Sequence, residues 1–333
     1  MIGIFPGTAG RPRPSMAGMR IAAASGLLLT SLATSGCMVS VDSQALILRD
    51  EKRFTITGTP ELRLTTFDGA IEIRSWDQAD VRIEIEKRGP TKEAVDALVI
   101  DSDQSGDRIT LEVKRPKTET FSGFGLNRSS SAKLIVSVPQ NSNIVARSGD
   151  GSIRVERITG KIDLHTGDGS IRVSEVDGDL TLNTGDGSVH VDGAKGKLDV
   201  DTGDGGVDVR GNLSAVRLRT GDGSIVYHAD AKVPMTEDWE ITTGDGSVTL
   251  YLPPDFSADL DAHTSDGSIR NELQVGGTKV EAEAAEPDSD EHPATVGPSL
   301  KSYKNNTLRG RLGSGGRTLK IRTGDGSIRL RGA

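Results

Sequence analysis

The sequence predicts an all-β chain: a single-stranded β-solenoid (β-helix-like) of about a dozen rungs, built from repeats of roughly 18–23 residues. Three observations predict it. Composition is the first: of 333 residues only 34% are apolar and 3% aromatic, while glycine supplies 41. So few large side chains cannot fill a thick globular core, yet Val, Ile and Leu recur throughout, as they would not in a disordered chain. The second is a motif, Thr-Gly-Asp-Gly-Ser-(Ile/Val), whose aspartates Asp150, Asp168, Asp186, Asp204 and Asp222 stand 18 residues apart. The third is two-residue alternation of apolar and polar side chains on either side of the motif.

The N-terminus reads as an export signal. Arg11, Arg13 and Arg20 precede the small and apolar run Ile21 to Leu32, and then Ala33-Thr34-Ser35-Gly36-Cys37. A basic start, a short apolar stretch and small residues before a cut site are the parts of a cleaved signal, here residues 1–36. Spanning a bilayer needs ~20 apolar residues, more than this run has. Small residues before a cysteine resemble the bacterial lipoprotein signal, in which that cysteine is acylated and becomes the mature N-terminus. Thr34 departs from the preferred leucine. Cys37 is the only cysteine, so it has no intrachain partner. Residues 37–53 then read as a lipidated N-terminus and polar tether. Met38 follows in place of the aspartate that retains many lipoproteins at an inner membrane, which points to the outer membrane of a two-membrane host.

Diverged β rungs with a short helix over 91–98 fill residues 54–145, and the regular repeats run from 146 to 275. Later aspartates are Asp245, Asp266 and Asp325, and Asp68 is an early, diverged copy. Aligned on the aspartate, the columns six and four residues before it and three after it are apolar in every copy, Trp239 among them. Five after, only Asn271 breaks the rule. Each copy is therefore two short strands joined at the turn, with one face buried. Asp-Gly between alternating strands also signals an antiparallel hairpin meander. The column two before the aspartate favours the solenoid. It reads Thr66, Ser148, Thr166, Thr184, Thr202, Thr220, Thr243, Thr264 and Thr323, a hydroxyl ladder that stacked rungs would produce.

On these copies, and on Leu308-Arg309-Gly310-Arg311-Leu312-Gly313-Ser314-Gly315-Gly316 before the last one, the chain resembles the DUF4097 family of bacterial β-strand-repeat proteins labelled candidate adhesins. The resemblance covers roughly residues 50–333. It implies an exported, envelope-associated β-solenoid linked to adhesion or membrane-stress responses, with no agreed catalytic activity.

Two stretches interrupt the repeats. Residues 276–300, rich in Gly, Glu, Pro and Asp, read as a disordered acidic loop, with C-terminal rungs over 301–333. Residues 115–131, around Phe121 and Phe124, read as a second loop, its aromatics a packing plug or a partner contact.

Charge excludes one function class. The chain has 40 basic and 48 acidic residues, and without the acid-free first 36 residues 37 bases face 48 acids, a net of −11. A general nucleic-acid binder needs a basic footprint instead. The aspartates read as structural turn residues, each accepting amides of its own turn. The other reading is a row of calcium sites, but one carboxylate per 18 residues offers little toward six to eight oxygens. The histidines His165, His190, His228, His263 and His292 share no metal-ligand spacing. A sugar-cleaving enzyme usually presents aromatic platforms, but outside the columns only Trp76, Tyr251 and Tyr303 remain as Trp or Tyr. Arg154 and Arg172, one rung apart, read either as a grip on an anionic glycan or phosphate or as a solvated face. The expectation is a non-enzymatic, lipid-anchored scaffold or adhesin-like surface in the cell envelope, without cofactor or metal. Its partners are the membrane and an envelope protein or glycan, not nucleic acid. A polysaccharide lyase or hydrolase on the same scaffold is the alternative.

Overall fold

The computed structural model describes residues 46–114, 130–273 and 306–333. Strands β1 (Leu46–Thr55), β2 (Glu61–Thr66), β3 (Ile71–Trp76) and β4 (Asp80–Gly89) precede one short helix, α1 (Lys92–Asp96). Next come β5 (Val99–Ser105), β6 (Arg108–Lys114), β7 (Ser131–Pro139), β8 (Asn143–Ser148), β9 (Ile153–Glu156), β10 (Ile162–Thr166), β11 (Ile171–Ser174) and β12 (Asp177–Thr184). Two long strands, β13 (Val189–Thr202) and β14 (Val207–Thr220), are followed by β15 (Ile225–Ala229), β16 (Trp239–Thr243), β17 (Val248–Leu252), β18 (Ala258–Thr264) and β19 (Ile269–Asn271). The last are β20 (Thr307–Leu312), β21 (Thr318–Thr323) and β22 (Ile328–Gly332).

These strands form two faces. A strand entering a Gly-Asp-Gly turn lies on face A and the strand leaving it lies on face B. The face A order is β5, β6, β2, β8, β10, β12, β13, β14, β16, β21, β18, β20. The face B order is β1, β4, β7, β3, β9, β11, β13, β14, β15, β17, β22, β19. The long strands β13 and β14 serve both faces, one half on each. From β8 to β17 every pairing is parallel, copy on copy, so the solenoid stands and the hairpin meander is excluded. Antiparallel strands occur only at the ends, where β1, β4 and β5 close one end and β20 closes the other.

Rung order departs from chain order at both ends. The rung β2–β3 is flanked by the later β6–β7 on one side and by β8–β9 on the other. Similarly β21–β22 is not the final rung: it slots between β16–β17 and β18–β19. Residues 46–53, expected to be tether, are instead most of β1. Its sequence LILRDEKRFT is charged because an edge strand with little buried surface needs no alternation. The helix is where the sequence put it, with the Thr91 hydroxyl capping the Ala94 amide at 3.2 Å. Arg157 and Glu175 hold left-handed backbone (φ 55° and 53°) at the corner leading back to face A, where the next copy has Gly193 (φ 67°).

The core is the inward columns, including Leu164, Ile171, Leu182 and Val191, essentially without exposed surface. The threonine column is buried too, and its bonds hold one turn on the next. In eight copies the hydroxyl donates to the turn of the neighbouring rung, 2.8–3.0 Å from the carbonyl of its second glycine. Ser148, Thr220, Thr243, Thr264 and Thr323 also accept the amide of the second glycine in their own turn at 3.0–3.2 Å. Amides of the first glycines continue the spine, Gly167 to Gly149, Gly185 to Gly167, and on to Gly324 and Gly244.

Turns stacked this closely leave no room for Cβ atoms. A Cβ on the second glycine of Gly151, Gly169, Gly187, Gly205, Gly223, Gly246, Gly267 or Gly326 would fall 1.9–2.3 Å from a carbonyl oxygen of the adjoining turn. Gly206, at the position where most copies have serine, has nothing nearer than 3.7 Å. Gly205→Ala is therefore expected to lower the urea midpoint sharply and Gly206→Ala to leave it unchanged. Thr220→Val, which strips the Gly205 carbonyl of its donor and the Gly223 amide of its acceptor, should cost roughly 1–3 kcal/mol, and Thr220→Ser should recover most of that. Equal effects of the two alanine substitutions would contradict the stacking account.

Candidate functional site

The turn aspartates form one edge of the stack. Asp150, Asp168, Asp186, Asp204, Asp222, Asp245, Asp266 and Asp325 are exposed and Asp68 is half-buried. In five copies the amide of the second glycine goes to the threonine or serine hydroxyl of its own turn and not to the carboxylate. The carboxylate leans along the edge: Oδ1 of Asp150, Asp168, Asp186, Asp204, Asp222 and Asp245 lies 3.0–3.5 Å from where a Cβ on the next rung's first glycine would stand. Among the described residues no group of three or more His, Cys, Asp or Glu side chains is arranged to hold a metal ion.

Outward side chains on face A form ion pairs across the rungs. Arg217 reaches Asp199 at 3.4 Å, Arg219 and Lys320 converge on Glu240 at 2.9 and 3.2 Å, and Arg322 and Arg309 converge on Asp261 at 2.5 and 3.3 Å. Hydrogen bonds from Arg219 and then Lys320 hold the Glu240 carboxyl below its ordinary range. Burial opposes ionisation of Asp261, but the bonds from Arg322 and Arg309 outweigh it and its pKa is also lowered. A groove of about 640 Å³ opens on this face, bordered by Lys197, Asp199, Arg217, Glu237, Glu240 and Lys320. Its charged groups are largely paired with one another. Aligning successive copies would have revealed Arg217 between Asp199 and Glu240, whereas Lys320 comes beside Glu240 and Asp261 only through the inserted rung.

The aromatic side chains serve packing. Trp239 is fully buried, edge-on to Tyr227 at 5.3 Å and tilted against Phe256 at 5.4 Å. Burial also pushes the Tyr227 hydroxyl pKa up. Trp76 donates to the Asp80 carbonyl at 2.9 Å and lies under Arg82. On face B, His228 and Tyr251 stack on adjacent rungs, 4.1 Å apart and 3° from parallel, and Arg331 lies over the Tyr251 ring. The remaining histidines are scattered: His190 is 3.4 Å from Asp208, His263 bonds Thr307 at 2.9 Å, and His165 is exposed. Arg154 and Arg172 stand side by side on face B. Cys37, the signal, Phe121, Phe124, His292, Tyr303 and the expected loop over 276–300 lie outside the described residues.

A family model described as Toastrack DUF4097 matches residues 60–296. Among solved structures, a candidate adhesin from Bacteroides fragilis is similar at 13% identity and a TM-score of 0.38, covering 85% of this chain and 97% of its own. A candidate adhesin from Parabacteroides merdae is similar at 14% identity and a TM-score of 0.36, covering 85% and 95%. A candidate lipid-binding protein from Parabacteroides distasonis is similar at 12% identity and a TM-score of 0.36, covering 85% and 96%. No curated protein matches the chain.

The depressed Glu240 carboxyl gives a pH test. A carboxylate with a lowered folded-state pKa adds stability above its unfolded value, here 4.5, and that stability disappears as pH falls through the folded value. Glu240→Gln should thus lower the urea midpoint at pH 7, by on the order of 1 kcal/mol or less for so exposed a network. At pH 3 the two proteins should nearly converge. A gap of the same size at both pH values would refute the assignment.

Proposed function

This chain belongs to the Toastrack DUF4097 family, and on that footing we propose that it is a non-enzymatic, lipid-anchored envelope protein whose β-stack acts as a rigid binding scaffold. One observation carries the non-enzymatic part. Among the described residues no carboxylate, histidine, lysine or arginine is buried: the buried polar groups are threonine and serine hydroxyls, the Tyr227 hydroxyl on the Gly211 carbonyl and the Trp239 indole N–H. The threonine ladder uses most of them to join its own turns. Acid–base chemistry in a protein needs titratable groups in desolvated surroundings, and here the carboxylates and histidines sit in outward columns and on the turn edge. The candidate adhesins among its structural relatives are in keeping with a surface role.

Anchoring rests on Cys37, the sole cysteine, behind a basic and apolar export signal. Acyl chains contribute about 0.8 kcal/mol per buried methylene, and two or three hold a protein on a bilayer without a spanning helix. Outer-membrane delivery in a two-membrane host follows from Met38. Since β1 begins at Leu46, the link from Cys37 reaches about 30 Å when fully extended. The scaffold is thus held near the membrane by its β1 end.

The test is Cys37→Ser. The variant is expected in the soluble fraction with unchanged thermal unfolding, while the wild type partitions into detergent and its N-terminal peptide carries acyl mass. An unmodified Cys37, or a serine variant still retained on membranes, would overturn the anchoring.

A further inference from the structure

Four turns continue as Asp-Gly-Ser-Ile-Arg, ending at Arg154, Arg172, Arg270 and Arg329. Along the chain only the first two are successive copies. The fold makes two adjacent pairs of them. Arg172 lies beside Arg154 in register, and because β21–β22 is inserted next to β18–β19, Arg270 lies beside Arg329. All four occupy one outward column of face B and all are exposed. Among the described residues none has an ion-pair or hydrogen-bond partner for its side chain.

Like charges one rung apart, about 4.8 Å, repel by roughly 1 kcal/mol in water. On face A that strain is relieved by acids on the next rung. On face B the four arginine side chains make no such pair among the described residues. Arg74 and Glu156 flank the first doublet, on adjacent rungs. Arg331 and Glu272, paired at 3.1 Å, flank the second. The second patch therefore sets three arginines against one glutamate, and the first adds Glu72, in register with Arg154 but paired with Lys133 at 2.9 Å, on a chain whose net charge is −8. Between the doublets the column holds His190 with Asp208, then Val226 and Thr249. Serine hydroxyls of Ser152, Ser170, Ser268 and Ser327 stand two residues before the arginines.

We propose that the two arginine doublets bind an acidic polysaccharide laid along the stack, its carboxylates engaged by Arg154 and Arg172 at one end and by Arg270 and Arg329 at the other. Five rung steps separate Arg172 from Arg329, about 24 Å along a straight column. A small anion would fill one doublet, whereas an extended polymer with repeated carboxylates meets both. Guanidinium groups take carboxylates in a two-bonded fork, and the neighbouring hydroxyls add donors. Single-stranded nucleic acid would need open aromatic faces for its bases, and the rings of His228 and Tyr251 cover each other. This inference rests on the reading of the stack as a binding scaffold and names the ligand class of that scaffold.

The experiment titrates the full-length protein with polygalacturonate, alginate, neutral dextran, a galacturonate trimer too short to span the doublets, and phosphatidylglycerol vesicles. Binding is expected for at least one of the two acidic polymers, weakening with salt, and not for dextran. Arg154→Ala with Arg172→Ala, or Arg270→Ala with Arg329→Ala, should each weaken polymer binding by about tenfold or more. All four together should abolish it with unchanged thermal unfolding. The proposal is overturned if neither acidic polymer binds, if the fourfold variant binds like the wild type, or if the trimer binds as tightly as the polymer. Arginine-dependent binding to vesicles alone would overturn it in favour of lipid headgroups. Cleavage of the polymer, read as new reducing ends, would count against the non-enzymatic reading only.

Discussion

The stack depends on how closely one Gly-Asp-Gly turn sits on the next. First-glycine amides donate to first-glycine carbonyls along an unbroken row, and second glycines pass within a distance that excludes any Cβ. That approach sets the rung spacing at the turn edge, so the flanking strands inherit a parallel register with no further instruction. It also explains the buried hydroxyl. The second-glycine carbonyl of each turn has the hydroxyl as its donor, and an apolar side chain there would leave it without one in a dry interior. Threonine supplies that donor and fills the remaining volume with its methyl group. At the outermost copies the glycine rule relaxes: Phe67 and Ser265 replace the first glycine.

The same dependence explains what the sequence could reveal. The apolar columns, the hydroxyl ladder and the parallel stacking were legible because each copy repeats the same contacts at the same offset. Rung order was not. Every copy presents the same columns, so nothing local marks that Thr323 belongs beside Thr243 and not beyond Thr264. The decision rests on which edges the end strands cover. Strand β1 was illegible for a related reason, since an edge strand buries too little to impose alternation. The hydroxyl's bond to the amide of its own turn was not legible either, because two side chains in the motif can reach the turn amides and spacing alone does not separate them.

Function was legible only where charge repeats. Arg154 and Arg172 stand out in any alignment of copies, but Arg270 and Arg329 are separated by the long segment between β19 and β20 and become neighbours only through the inserted rung. Cross-rung pairs such as Glu240 with Arg219 and Lys320 are the general solution for outward columns, each contributing little by itself. The face B column departs from that solution twice, once near mid-stack on β9 and β11 and once at the end on β22 and β19. A repetitive scaffold makes such departures visible, because the neighbouring rungs supply the comparison.

The inserted rung β21–β22 has a consequence for how the protein is made. Its residues leave the ribosome after every strand they separate, and their partners on β17 lie about 80 positions earlier in the chain. Until they arrive, β16–β17 and β18–β19 each carry an open parallel edge, the kind of surface that pairs with other chains. A nascent or truncated molecule is therefore exposed within its stack, near one end, and not merely shortened. Completion acts as a keystone: the last rung to be synthesised is the one that lets its neighbours stop looking for partners.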